Sequence, residues 1–450
     1  MSPEAREQYL TEHRFKDTEF YRIKLDETPS SIRDQLRKAI EFIDIAYEDG
    51  RIAEGDKMLV IGAGVAGVTA AYHAVELGIQ TSLQDRSPEP FSAQIECDTR
   101  WIHPHEYDWP NEHYESDTFP HRYLDWDLSG TPDLLHWKAN TPSHVATSWR
   151  VGFGRWVDPN RQIVSPEGPI VWGRRTFPAL TEQTNFEGYI RRLVPRAKFH
   201  LVVMCVGGRE CCRVEGSKFR SFRFWEPDRY GITNYGVGIT PRRTFRTLIS
   251  GGGDGALQDF LRIACRKRSF ELPVHALQIL RKLLPFLQSC EAYGWMRDQV
   301  AALRGDIRRP DPSAMWKIHT EFFARVAAEE AGANLERAVD KLIDPSLFSQ
   351  KRTIDLNFTQ GHFRSVYFLN AFLARLFEWR IRERSGRSVF QPGARVKKIR
   401  SGSDSHVCAR RPVECFLKPH TVAFELNDND ADAPELRTYD VIVLRHGIVS

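Results

Sequence analysis

Residues 57–85, KMLVIGAGVAGVTAAYHAVELGIQTSLQD, constrain the fold more than any other stretch of the chain. Met58, Leu59, Val60 and Ile61 form an unbroken apolar run, the composition of a short buried strand. Gly62, Gly64 and Gly67 follow in the spacing G-x-G-x-x-G. Behind them Val68, Ala71, Tyr72 and Val75 recur at i, i+3, i+4 and i+7, one face of a helix. A second strand over 79–83 leads to Asp85, roughly 20 residues past the glycines. Each part has a physical task. Gly62 allows a sharp turn, Gly64 a close approach of backbone to a pyrophosphate, and Gly67 close packing of helix on strand. The helix N-terminus presents unpaired N–H groups and a positive dipole end to phosphates. Asp85 stands where a carboxylate accepts hydrogen bonds from an adenosine ribose. Strand, turn, helix, strand and acid together predict a dinucleotide site.

The signal occurs twice. Residues 245–264, FRTLISGGGDGALQDFLRIA, again read strand, glycine turn, helix. Gly251, Gly253 and Ala256 give G-x-G-x-x-A, in which the third position needs only a small side chain. Leu257, Phe260, Leu261 and Ala264 make the buried helix face. Gly251, Gly253, Asp254 and Ala256 are the candidate contacts of a second nucleotide. Two such motifs in one chain suggest two nucleotides between which an electron pair passes.

With both motifs in place the chain resembles the flavoproteins with two dinucleotide-binding domains, the group of thioredoxin reductase and the flavin-containing monooxygenases. The GGGDGALQD run looks like the nicotinamide-site turn of the thioredoxin reductases. Residues 198–208, KFHLVVMCVGG, look like the strand and glycine turn that close the first domain. Residues 439–447, YDVIVLRHG, look like the turn that closes the second, with Arg445 and His446 replacing the usual small pair. The resemblance implies FAD at Gly62, Gly64, Gly67 and Asp85, and NAD(P)H at the second motif. It does not cover the N-terminus or residues 266–352.

Two departures from that pattern stand out. The disulfide reductases of the group work through a C-x-x-C pair, which is absent here. Cys211 and Cys212 are adjacent, a geometry that strains a disulfide. In the group, the chain also returns to the first domain after the last glycine turn, with a Gly-Asp segment that holds the flavin. Here only Ile448, Val449 and Ser450 follow Gly447. Either other residues complete the flavin domain, or the chain is part of a longer one, or flavin is not held.

The expected fold class is α/β, two Rossmann-like doubly wound domains with a helical insertion in the second. Residues 1–55 read as a helical lead-in, with Ser30 or Ser31 capping a helix whose face is Leu36, Ala39, Ile40, Ile43 and Tyr47. Residues 56–244 are the expected first domain, and 245–450 the second, interrupted by amphipathic helices over 266–352. The strand that should follow the second glycine helix is postponed to 353–359, TIDLNFT. It carries no acid at the ribose position, and His362 and Arg364 beyond it lean toward a 2′-phosphate. Residues 101–126 are dense in aromatics, histidines and acids. His103, His105, Glu106, Asp108 and His113 match no zinc spacing, so no metal is expected. A flavin- or substrate-facing loop and a Trp-rich surface loop on the first domain both remain open.

A formal charge of +4, from 63 basic and 59 acidic residues, gives no electrostatic case for nucleic acid. No apolar run approaches a membrane span, the N-terminus lacks a signal peptide's apolar core, and 8 scattered cysteines suit a reducing compartment, so the cytoplasm is the expected location. The reading is an FAD- and NAD(P)H-dependent oxidoreductase acting on a small molecule, with monooxygenation ranked above disulfide reduction. Hydride passes from nicotinamide to flavin and on to oxygen or a small acceptor. The alternative is a non-catalytic, regulatory dinucleotide-binding protein that offers residues 266–352 to a partner or a second copy.

Overall fold

The structure is a computed structural model. It describes residues 1–15, 20–23, 31–110, 112–119, 135–156, 162–165, 168–174, 199–205, 209–210, 214, 221, 223–228, 244–303, 311–363, 366–400, 420–426, 435–446 and 448–449. The chain is a mixed α/β protein with parallel sheets, and its contacts divide it into two units. One comprises 1–96 and 116–208, the other 97–115 and 209–450. The aromatic stretch 97–115 thus packs with the second unit although its neighbours in sequence belong to the first.

The first unit holds α1 (Pro3–His13), β1 (Phe20–Arg22), α2 (Ile32–Glu48), β2 (Lys57–Ile61), α3 (Val65–Glu76), β3 (Gln80–Asp85), β4 (Thr118–Phe119), β5 (Trp137–Lys138), α4 (Pro142–Trp156), β6 (Gln162–Ser165), β7 (Gly168–Arg174) and β8 (Leu201–Met204). Six of these strands form one sheet in the order β1-β8-β2-β3-β7-β6. All its neighbours are parallel except the β6–β7 hairpin. Met58 to Ile61 and Leu201 to Met204 are buried, as central parallel strands covered on both faces require. Ser31 caps α2 in a full capping box with Asp34. Leu36, Ala39, Ile40 and Ile43 are buried beneath that helix, while Tyr47 is exposed. The lead-in also supplies β1, which pairs parallel with β8 at the sheet edge, Phe20 opposite Val202.

The second unit holds β9 (Arg209–Glu210), β10 (Phe245–Ser250), α5 (Asp254–Ala264), α6 (Ala276–Gln288), α7 (Glu291–Ala301), α8 (Pro312–Ala328), α9 (Gly332–Leu342), α10 (Pro345–Phe348), β11 (Arg352–Phe358), α11 (Phe368–Ser385), β12 (Phe390–Pro392), β13 (Ala394–Arg400), β14 (His420–Leu426), β15 (Glu435–Tyr439), β16 (Val441–Leu444) and β17 (Ile448–Val449). Four strands form a parallel sheet in the order β12-β11-β10-β16, and β13-β14-β15 form an antiparallel one. β11 pairs directly with β10, Phe245 opposite Arg352 and Ser250 opposite Asn357, so six α-helices of the described residues, α5 to α10, intervene between two strands that are neighbours in space. The apolar faces of α6, α8 and α9 join α5 and α11 in one core that includes Phe260, Leu277, Leu280, Phe322, Leu335, Val339, Phe372 and Phe377. The stripes at 3.6-residue period that mark these helices in sequence are therefore spent on each other and on the sheet.

Candidate functional site

Both glycine turns lie at the carboxyl ends of parallel strands, where open α/β sheets place their ligands. In the first unit, Gly62 follows β2 with φ +105°, a backbone region that favours glycine. Its N–H donates to Gln84 O at 2.7 Å, which ties the turn to β3. A Cβ on Gly67 would stand 1.7 Å from Gly62 O, so the third glycine is required by contact between helix and turn. Gly64 caps α3 without a side-chain hydrogen bond, and a Cβ there would meet nothing within 4 Å. The first turn of α3 therefore has no side-chain cap at Gly64, whereas α2 and α8 are capped by Ser31 and Asp311. Asp85 ends β3 and holds the turn from the other side. Its Oδ2 accepts from Ala63 N at 2.6 Å and its Oδ1 from Ser87 N at 2.7 Å. The turn thus combines a helix N-terminus without a side-chain cap and an adjacent carboxylate that binds its backbone.

The second turn repeats this plan with different neighbours. Gly251 has φ +143°, its N–H donates to Asn357 O at 2.9 Å, and a Cβ there would stand 2.0 Å from Arg445 O. Gly253 caps α5 with no side-chain bond and with open space around it. In each unit the first glycine bonds the carbonyl of the residue next to the ribose position. That correspondence sets Phe358, buried and apolar, where the first unit has Asp85. Asp254, the first residue of α5, turns to α11 rather than to the glycines. Its Oδ1 accepts from Tyr367 N at 3.1 Å and from Asn370 Nδ2 at 2.7 Å. Ala256 is fully buried, as the small third position demands.

Arg445, one of the residues that replaces the usual small pair, belongs to a buried ionic cluster behind the second turn. Its Nε donates to Asp259 Oδ2 at 2.8 Å. Asp259 Oδ1 also accepts from Arg100 and from Arg262, each at 2.9 Å, and Arg262 reaches Asp228 Oδ1 at 2.7 Å. Burial opposes ionisation of Asp259, but Arg100, Arg445 and Arg262 overcome it and hold the carboxyl well below its usual range. His446 bonds Ser250 Oγ at 2.7 Å, beside the same turn. Asp259 and Arg262 are visible in the sequence as an i, i+3 pair on α5. Arg100, Asp228 and Arg445 carry no local signal, since only the fold brings them there.

Residues 101–110 belong to the second unit, rather than forming a surface loop of the first. Trp109 is fully buried against Phe368 and Phe372, with ring centroids at 5.5 and 5.0 Å. Trp101 stacks on His275 at 5.1 Å. His105 Nδ1 lies 3.0 Å from Asp108 Oδ2, and His103 Nδ1 accepts from His105 N at 3.2 Å. Glu106 is buried as well. Among the described residues no group of three His, Cys, Asp or Glu side chains is placed to hold a metal ion. No helix among the described residues is long and apolar enough to cross a membrane. The side chain of His113, the turn at 206–208, Cys211, Cys212, Arg364 and Gly447 lie outside the described residues.

One comparison with known proteins covers the first turn. Residues 57–158 match the family of FAD dependent oxidoreductases. The match begins at β2 and takes in Gly62, Gly64, Gly67 and Asp85. No curated protein matches the chain in sequence. Among solved structures the chain is similar to T. acidophilum thioredoxin reductase, with 9% identity over 87% of this chain and 77% of that one, at TM-score 0.32. It is similar to the bacillithiol disulfide reductase Bdr (YpdA) of Staphylococcus aureus, with 10% identity over 89% and 78%, at TM-score 0.34. It is similar also to OTEMO in complex with FAD and NADP, with 9% identity over 89% and 72%, at TM-score 0.32.

Proposed function

We propose that the chain is an FAD- and NAD(P)H-dependent oxidoreductase built on two Rossmann-like doubly wound domains, the second carrying 266–352 as a helical insertion. FAD sits at Gly62, Gly64, Gly67 and Asp85, and the nicotinamide nucleotide at Gly251, Gly253 and Ala256, with Asp254 setting the first turn of α5. The observation that carries this reading is the pair of helix N-termini without a side-chain cap, each entered through a glycine at positive φ, on two separate parallel sheets. The family match over 57–158 supports flavin at the first of them.

A flavin accepts a hydride from a reduced nicotinamide and hands electrons on; the chain binds, orients and excludes water. The absence of any C-x-x-C pair in the sequence favours monooxygenation or reduction of a small acceptor over disulfide reduction. The phenyl ring of Phe358 at the second ribose position leaves no carboxylate to repel a 2′-phosphate, which favours NADPH. Arg445 has a structural occupation in the ionic cluster, so its presence does not speak for a regulatory role.

The purified protein is expected to show the visible absorbance of oxidised flavin, to lose it in Gly64→Val, and to be bleached by NADPH without oxygen. Asp85→Ala is expected to weaken flavin binding by about 1.5–3 kcal/mol, the scale of a charge-assisted hydrogen bond. Gly253→Val is expected to slow bleaching while flavin stays bound. A protein that holds flavin but is reduced by neither nicotinamide fits the regulatory alternative instead.

A further inference from the structure

Glu106 has no part in the reading above, yet its environment is unusual. It sits on a single 3-10 turn, Glu106–Asp108, with only 4% of its surface exposed, and its Oε2 finds no hydrogen-bond partner. An ionised carboxylate is costly to keep in such a place. Burial pushes the carboxyl up to about 8; the Tyr107 hydroxyl eases it back, and the charge of Asp254 adds to the rise.

The groups around it form one buried polar cluster. The Tyr107 ring lies flat on Tyr367, with centroids 3.8 Å apart and planes within 5°. The Tyr107 hydroxyl accepts from Gln258 Nε2 of α5 at 2.6 Å. Tyr367 N and Asn370 Nδ2 of the α11 terminus bind Asp254, and His105 pairs with Asp108 on the turn itself. The charge acting on Glu106 from α5 is thus another acid, and that acid is the first residue after Gly253.

We propose that binding of a dinucleotide at the second glycine turn is coupled to uptake of a proton by Glu106. The inference rests on the reading of that turn as the nicotinamide-nucleotide site. A pyrophosphate at the first turn of α5 adds negative charge beside Asp254, in surroundings of low dielectric. That charge favours the neutral form of Glu106, and by linkage the neutral form binds the nucleotide more tightly. Affinity is therefore constant well below pH 8 and falls as Glu106 ionises above it.

The test is calorimetric titration of NADH, which has no phosphate monoester, and of NADPH, into the whole protein at pH 8 in two buffers of different protonation heat. Uptake of up to about half a proton per nucleotide is expected, because the carboxyl is half-ionised there. Binding is expected to be about tenfold weaker at pH 9.5 than at pH 6.5, the effect of one pKa unit of coupling. Glu106→Gln is expected to abolish the uptake and to bind at pH 9.5 as tightly as the wild type does at pH 6.5. Binding without proton uptake overturns the coupling and leaves the nucleotide site standing. So does uptake that persists in a folded Glu106→Gln protein. Absence of any nucleotide binding, with wild type and Gly253→Val alike, overturns the site and the coupling together.

Discussion

Gly67 and Glu106 show opposite limits on what a single residue reveals. The need for glycine at 67 is local: its helix must touch the turn five residues earlier, and the spacing alone announces it. Even Gly67→Ala sets a methyl carbon 1.7 Å from Gly62 O, with the Gly62 carbonyl carbon and Cys205 also close. The variant is expected to lose flavin and to melt at lower temperature, measured by absorbance and thermal scan; a yellow Gly67→Ala protein of unchanged melting point contradicts the packing. Glu106 is not legible in this way, because nothing within its own stretch says that the carboxylate will be buried with one oxygen left without a partner. Its raised pKa makes folding bind a proton between the ordinary carboxylate range and pH 8. Stability from this group is accordingly whole below about pH 4 and declines as pH rises towards 8. Glu106→Gln is expected to stabilise the protein by about 2–4 kcal/mol at pH 8 and by almost nothing at pH 4, read from urea unfolding at both.

At the scale of elements, the helices were readable and their partners were not. The apolar stripes of α6, α8 and α9 appear in the sequence at helical period, since each helix needs one face for the core. Which face meets which depends on β11, separated from its partner strand by the six helices α5 to α10, and on α11, whose surface is buried nearly all round. The ionic cluster on α5 illustrates the same limit. Asp259 and Arg262 are adjacent on one helix, but the cluster draws Arg100, Asp228 and Arg445 from three other segments. Asp259→Ala leaves three guanidiniums facing one carboxylate in the interior. A loss of about 3–5 kcal/mol is expected, with the midpoint of urea unfolding as the measure. A loss under 1 kcal/mol would mean that water already reaches the cluster.

For the whole molecule, both glycine turns and the α/β class could be read from the chain, while its connectivity could not. β1 pairs with a strand that begins at Leu201, and three residues such as Phe20, Tyr21 and Arg22 carry no mark of so distant a partner. The core of the second unit also absorbs the intervening helices, with Leu277, Phe322 and Leu335 in one cluster with Phe260 and Phe372. Replacing 266–352 by a Gly-Ser linker is therefore expected to remove the second unit's unfolding transition in calorimetry while flavin binding at the first turn persists. A shortened chain with the full unfolding enthalpy and NADPH-dependent turnover would show that those helices are dispensable. The path of the chain between the units has a consequence for synthesis. A ribosome releasing residues 1–208 has delivered every part of the first unit, but also the stretch 97–115, whose partners on α5 and α11 do not yet exist. Until they follow, Arg100 has no counter-ion from α5 and the indole of Trp109 lacks the α11 rings it lies against. The nascent protein therefore carries a charged and sticky stretch between two sequence segments of an otherwise finished unit. Such a loop is where a holdase chaperone would first take hold, and where a truncated product would aggregate.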